Sequence, residues 1–352
     1  MPAFNLNPYS PFEGVTRAMR VWLNPNWQLE TSDSTVTLRS EKKKYVLDDS
    51  DGTVSRLVEF LAEGPGTEAL QALTHTEPTL ESLVRALRRR GLIIESPSGP
   101  ADDTHIHARQ WGHLALYAER PDEAQRRLGA ATVMVMGVGG TGSVILQHLV
   151  GAGVSRFVLV DSDRVQLNNL NRQFTYDRKS VGDSKLIAAQ AYIESRVSHA
   201  EVSLVDRFVT SATDVDELIG EHNGVDFIAI CIDQPIGEIS DIVTQAAWQR
   251  RVPTIFGGVG MQRGFYGPVF TPDRSTVSPE QFSFQSSNDA KQDPEADRLR
   301  STRFSFGPNN TIVGAWMASA IAYHLAGITQ LVDYNSRRVI DFETGSTATH
   351  SH

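Results

Sequence analysis

Residues 134–153 read "MVMGVGGTGSVILQHLVGAG", a short apolar run, a glycine-rich turn and then a helical pattern. Gly137, Gly139 and Gly142 satisfy GxGxxG, and Gly140 adds a fourth glycine to the turn. Glycine lets the backbone bend sharply and come close to a ligand. The first turn of the following helix offers unpaired N–H groups and the positive end of its dipole. A strand that ends in such a turn binds phosphate, and it dictates a parallel sheet with helices on its faces. Asp161 closes the next apolar run, 24 positions after Gly137 (161 − 137), where a carboxylate can hold ribose hydroxyls. A dinucleotide kept for hydride transfer and an ATP fit this much equally well.

The rest of the middle of the chain agrees with that sheet. Strand-like runs fall at 132–136, 157–160, 201–204, 227–232 and 254–256, with helical patterns between them. This alternation predicts an α/β, Rossmann-like, doubly wound and mainly parallel sheet. Beyond it, residues 283–302 are polar, charged and poorly periodic, which predicts a mobile loop. An apolar helix is expected from about residue 309, packed on the sheet, then a final strand at 338–342 and a frayed tail. The nucleotide-binding α/β domain is expected over 101–352.

Residues 1–100 have a different texture. Two β-prone runs, 35–38 and 45–47, flank the charged turn "EKKK" and predict a hairpin. Val54, Leu57, Val58 and Leu61 then sit at helical spacing, as do Leu80, Leu83, Val84 and Leu87. The second of these helices is expected to start on a Thr79-x-x-Ser82 cap and to stop at Gly91, before a closing strand at 92–94. Hairpin, helices and strand make a small winged-helix-like unit, and "SPSGPADD" at 96–103 reads as its linker.

Composition narrows the function. The net charge of −9 argues against general nucleic-acid binding. No run reaches the ~18 apolar residues of a membrane span, and the first residues lack a secretory pattern, so a cytoplasmic location is expected. Cys231 is the single cysteine, which leaves no internal disulfide and no cysteine-cage zinc site.

The residues beyond Asp161 separate the two nucleotides. The stretch "DSDRVQLNNLNRQFTYDRKSVGDSK" gathers Asn169, Arg172, Gln173 and Lys185 behind the ribose acid. Cationic groups beside a nucleotide answer developing polyphosphate charge, for which hydride transfer has little use.

"GVGGTGS", "VDSDRVQLNNLNRQ" and "VGDSK", in this order and spacing, resemble the adenylating family of ubiquitin-activating enzymes and of the adenylyltransferases of thiamine and molybdopterin synthesis. The resemblance covers about 105–270. It implies that a carboxylate attacks the α-phosphate of ATP to give an acyl adenylate and pyrophosphate. By position it implies that Asp161 holds the ribose and that Asn169, Arg172 and Lys185 line the phosphates. Asp163 and Gln173 join the nucleotide site, and Asp233 in "AICIDQP" holds Mg²⁺. Asp233 as a helix cap before Pro235 is compatible with that role. Arg109 in "HARQWGH" matches an arginine that reaches the γ-phosphate across a homodimer interface. Relatives pass the acyl group to a cysteine, but Cys231 lies within an apolar strand. They also hold zinc on two CxxC pairs, and "DRSTVSPEQF" at 273–282 has neither cysteine of the first, so no zinc is expected.

Length, front unit and "GFYGPVFTP" at 264–272 resemble the peptide-modifying branch, which acts on microcin C and pantocin A precursors. That resemblance implies a ribosomal precursor peptide bound by the front unit, as a strand added to the hairpin edge beside the helix at 80–90. Lys42, Lys43, Lys44, Arg85, Arg88 and Arg89 suit an acidic leader. Asn309, Asn310, Arg263 and the acids of 283–302 are the candidates near the acyl group. A sulfur-carrier adenylyltransferase is the competing reading.

Overall fold

The computed structural model describes residues 18–97, 99, 106–282 and 304–351. The expected loop at 283–302 lies outside them. The chain divides into two compact units, Met1–Arg126 and Arg127–His352.

In the first unit β1 (Arg20–Leu23) pairs antiparallel with β5 (Ile93–Ser96). A separate antiparallel sheet has the order β2 (Gln28–Thr31), β3 (Thr35–Arg39), β4 (Lys44–Asp48). The hairpin is therefore present and gains a third strand. Helices α1 (Thr53–Ala62), α2 (Thr67–Thr76) and α3 (Pro78–Arg89) complete a winged-helix-like unit. Val54, Leu57, Val58 and Leu61 of α1 and Leu80, Val84 and Leu87 of α3 are buried, as their spacing requires. Gly52 is the N-cap of α1, and Asp49, upstream of it, accepts the Val54 amide of the first turn at 2.7 Å. The expected Thr79 cap is not used. Glu77 is the N-cap of α3 and Pro78 opens the helix, because a proline needs no amide partner in the first turn. Helix α4 (Ala108–Leu114) also belongs to this unit, and α5 (Pro121–Ala130) carries the division between the two.

The second unit is an eight-stranded mixed sheet. Strands β6 (Thr132–Met136), β7 (Arg156–Val160), β8 (Glu201–Val205), β9 (Phe227–Ile230) and β10 (Thr254–Val259) are parallel, in the order β8-β7-β6-β9-β10. Strands β11 (Arg263–Tyr266), β12 (Ser336–Asp341) and β13 (Thr347–Ser351) extend it antiparallel. The frayed tail is thus corrected: five exposed residues form β13, paired with β12 through backbone alone. The strand at 227–232 also ends two residues early, leaving Cys231 just past β9.

Helices cover both faces. On one, α6 (Gly140–Ala152) packs against α7 (Lys185–Glu194) and α10 (Gly307–Ala326). On the other, α8 (Ala212–Glu221) packs against α9 (Ile239–Gln249). Met134, Val158 and Ile228 from the sheet meet Leu218 of α8 and Val243 of α9 in one core. The apolar α10 is a core helix, and among the described residues no helix is long and apolar enough to cross a membrane.

Candidate active site

Strand β6 sits where the order reverses, with β7 on one side and β9 on the other. In open α/β sheets a ligand crevice opens there, outside the carboxyl ends of the strands. Gly137 follows β6, Asp161 follows β7, and Asp233 lies three residues past β9.

The glycine turn is shaped by contacts that exclude side chains. Gly137 has φ +89°, and a β-carbon on it would stand 2.7 Å from the Cys231 carbonyl oxygen. Its amide donates to Val160 O at 2.7 Å. Gly142 packs directly on the carbonyl oxygen of Gly137, which closes the strand–helix turn. Gly139 is the N-cap of α6, and the amides of the first turn have no partner within the helix. Gly140 faces the Oδ1 of Asn310, a buried residue near the start of α10. Asn310 Nδ2 donates to Ser305 Oγ and Phe306 O, both at 2.8 Å. Two helix N-termini thus meet at the turn. Gly314 permits it, since a β-carbon there would stand 2.8 Å from Val144 Cβ.

Asp161 has work on both oxygens. Oδ2 accepts the Val138 amide and Oδ1 the Asp163 amide, each at 2.8 Å. The acid is thereby fixed at the crevice, with lone pairs left to accept further hydrogen bonds. Lys185 opens α7, and its Nζ donates to Asp163 Oδ2 at 2.7 Å. Arg172 Nη1 donates to Asn168 O at 2.8 Å and Asn171 Oδ1 at 2.9 Å, which fixes the guanidinium from one side. Asn169, expected to line the phosphates, is also used within its own turn. Its Oδ1 accepts the Gln166 amide at 2.9 Å and caps the turn that presents Arg172. Gln173 is 3% exposed, and its Oε1 meets no hydrogen-bond partner among the described residues. Its amide group lies 3.7 Å from where a Gly139 β-carbon would be, an orphaned polar group beside the turn. Tyr176 escaped the sequence reading. It is buried, and its hydroxyl donates to Val138 O at 2.7 Å. Only its place three residues after Gln173 could have pointed to it.

Asp233 is exposed at the crevice. It caps no helix, because α9 begins at Ile239 with Glu238 as N-cap. Among the described residues no three His, Cys, Asp or Glu side chains gather to hold a metal. One carboxylate beside a polyphosphate is nonetheless the ligand set Mg²⁺ takes, the phosphates and water supplying the rest. Burial pushes the Cys231 thiol up to about 12, far from a nucleophilic thiolate. Asn309 donates to Met261 O at 3.3 Å, and exposed Arg263 approaches Asp341 at 3.7 Å. Arg109 is exposed on α4, in the first unit.

A model of the ThiF family matches residues 111–350. The chain belongs to the ThiF family. Its fold is similar to that of Escherichia coli MccB solved with AMPCPP and MccA, with a TM-score of 0.75, 20% identity, and 94% and 96% of the two chains covered. MccB has also been solved with ATP. PaaA is similar at a TM-score of 0.68 and 18% identity, over 93% of this chain and 98% of PaaA. At such identities the likeness establishes the fold, front unit included. Among curated relatives, the sulfur carrier protein adenylyltransferase of Thermus thermophilus is 45% identical over 73 residues, 21% of this chain and 27% of that protein. The adenylyltransferase and sulfurtransferase MOCS3 of Mus musculus is 32% identical over 177 residues, 47% of this chain and 38% of that protein. This ThiF-family chain therefore spans well under half of those curated relatives.

Proposed function

We propose that the chain is an ATP- and Mg²⁺-dependent adenylyltransferase that activates a carboxylate of a ribosomally made precursor peptide. A carboxylate oxygen bonds to the α-phosphorus, the bond to the β-phosphate oxygen breaks, and pyrophosphate leaves. A nucleophile of the same peptide then displaces AMP from the acyl group, or the nucleotide stays attached. Asp161 holds the ribose. Arg172, Gln173 and Lys185 meet the phosphates with the turn of Gly137, Gly139, Gly140 and Gly142. Asp163 orients Lys185, Asn169 presents Arg172, and Asp233 holds Mg²⁺. Such preorganised charge is worth most where charge develops.

The observation that carries the peptide reading is the front unit. A winged-helix-like unit with an open-edged antiparallel sheet precedes most of the ThiF-matched residues, and the likeness to MccB, which has been solved with MccA, covers 94% of this chain and 96% of MccB. A leader can add to a sheet edge and lay side chains in the groove of about 350 Å³ between α2 and α3. Arg85 is already paired with Glu81 at 2.6 Å, and Arg88 with Glu95 at 2.7 Å and Glu119 at 2.8 Å. Attraction for an acidic leader thus rests on Lys42, Lys43, Lys44 and Arg89. A reaction that consumes ATP belongs in the cytoplasm.

The curated relatives favour a second reading, adenylation of a sulfur carrier protein. Peptide labelled with ¹⁸O in its carboxylates separates the two, because attack on the α-phosphorus carries one labelled oxygen into the AMP group. Label in AMP from a carrier protein, and none from the precursor, contradicts the peptide reading. We also propose a homodimer in which Arg109 serves the partner's γ-phosphate. Arg109→Ala and Asp233→Ala protomers, mixed, should regain activity, and an inactive mixture refutes the shared site.

A further inference from the structure

We propose that Tyr176 is a positioning residue which, opposite Asp161, clamps the glycine turn in the shape that receives the phosphates of ATP. The inference rests on the reading of this crevice as an ATP site.

The residue after Gly137 is held at both of its peptide groups. Val138 N–H donates to Asp161 Oδ2 at 2.8 Å, and Val138 C=O accepts from the Tyr176 hydroxyl at 2.7 Å. Val138 itself is fully buried and Tyr176 is 7% exposed, so water does not compete for these groups. In such surroundings a hydrogen bond holds geometry, and losing its donor strands a buried carbonyl. Burial, with the negative charge of Asp161 beside it, keeps the phenol protonated well above its ordinary range. The hydroxyl is thus a donor at every working pH.

The clamp also joins two segments. The Tyr176 amide donates to Gln173 O at 3.2 Å, and the Gln173 amide donates to Asn169 O at 2.9 Å. Tyr176 therefore ends the compact turn that carries Arg172 and Gln173, and fastens it to the glycine turn. Ribose acid, phosphate arginine and glycine turn become one frame. Fixing the frame beforehand removes ordering cost from binding, and the gain falls on the phosphates, since they are what the turn holds.

The test uses the full chain, with ATP and adenosine as probes and Kd as the readout. Tyr176→Phe should weaken ATP about tenfold and adenosine by less than about twofold, whatever it does to the melting temperature. A purely structural role would lower the melting temperature and leave the ratio of the two Kd values unchanged, and that result overturns the proposal. If Tyr176→Phe does not fold, hydrogen exchange of the wild-type chain without nucleotide decides. A slowly exchanging Val138 amide supports a turn fixed before ATP arrives, and a fast one overturns it. A wild-type chain that binds adenosine but not ATP overturns the ATP reading itself, whereas tight wild-type binding with an unchanged ratio in Tyr176→Phe overturns the clamp alone.

Discussion

Lys185 carries its charge into a nearly closed pocket, where 8% of its side chain is exposed, while its partner Asp163 is 69% exposed. A pair so asymmetric aims the lysine without locking it, because solvent screens the outer carboxylate and an arriving phosphate can take its place. Lys185→Ala should lower ATP–pyrophosphate exchange by about 10²–10³. Asp163→Asn should slow exchange less and destabilise the fold by about 1 kcal/mol. Equal losses in the two variants would show that Asp163 does more than orient the lysine. Two half-buried groups contribute to the response to pH. Burial raises Asp241 to about 6, against the opposing pull of Arg337, so its contribution to stability falls as pH rises from about 4 to about 6. Burial, aided by Arg274, lowers His324 to about 4, so its contribution falls as pH drops from 6.5 towards 4. The two slopes oppose each other. Thermal melts should show Asp241→Asn gaining stability with rising pH across that window, and His324→Gln losing it. Parallel curves for wild type and both variants would contradict the assignment. The sequence named Asp161, Arg172 and Lys185 because charged residues at motif spacing leave a mark. It did not show the turn-capping bond of Asn169 and omitted Tyr176, because a side chain that serves its own backbone leaves no pattern of charge or period.

Among the elements, the β6–α6 turn tolerates the least change. Gly142 rests on the Gly137 carbonyl, a backbone atom that cannot swing aside. Gly142→Ala should therefore destabilise the second unit by about 3 kcal/mol and remove ATP binding, whereas Gly151→Ala, at a position open to solvent in the same helix, should do neither. Calorimetry on both variants checks this, and a stable, ATP-binding Gly142→Ala would show that the turn can shift. Strands β6, β7 and β9 were legible because each is a short apolar run buried on both faces. Strands β2 and β13 were not, because every residue in them is exposed and only the ladder to a neighbour makes them strands. Strand β11 hides for another reason: Gly264 is small because Phe342 and Val313 fill the space a side chain would need.

For the whole molecule, the charge of −9 makes the basic run at 42–44 a local exception rather than a general attraction. An acidic leader drawn to it should bind more weakly as salt rises, since the Debye length is about 8 Å at physiological ionic strength. Lys43→Glu, Lys44→Glu and Arg89→Glu together should weaken a leader by about 1–3 kcal/mol, mainly through slower association. Stopped-flow binding on the full chain tests it, and an unchanged association rate would move the leader elsewhere. The α/β fold and the adenylyltransferase family were readable from the sequence. The peptide was not, since leader recognition by a strand edge uses backbone groups that every sequence has. On the proposed reading, this chain activates a peptide carboxylate with ATP. The most direct measurement of this is exchange of labelled pyrophosphate into ATP, with a ribosomal precursor peptide as the candidate substrate. The account predicts exchange that requires the peptide and falls about 10²–10³ in Asp233→Ala while ATP still binds. Exchange driven by a carrier protein ending in Gly-Gly but not by the peptide, or near wild-type exchange in Asp233→Ala, would contradict it.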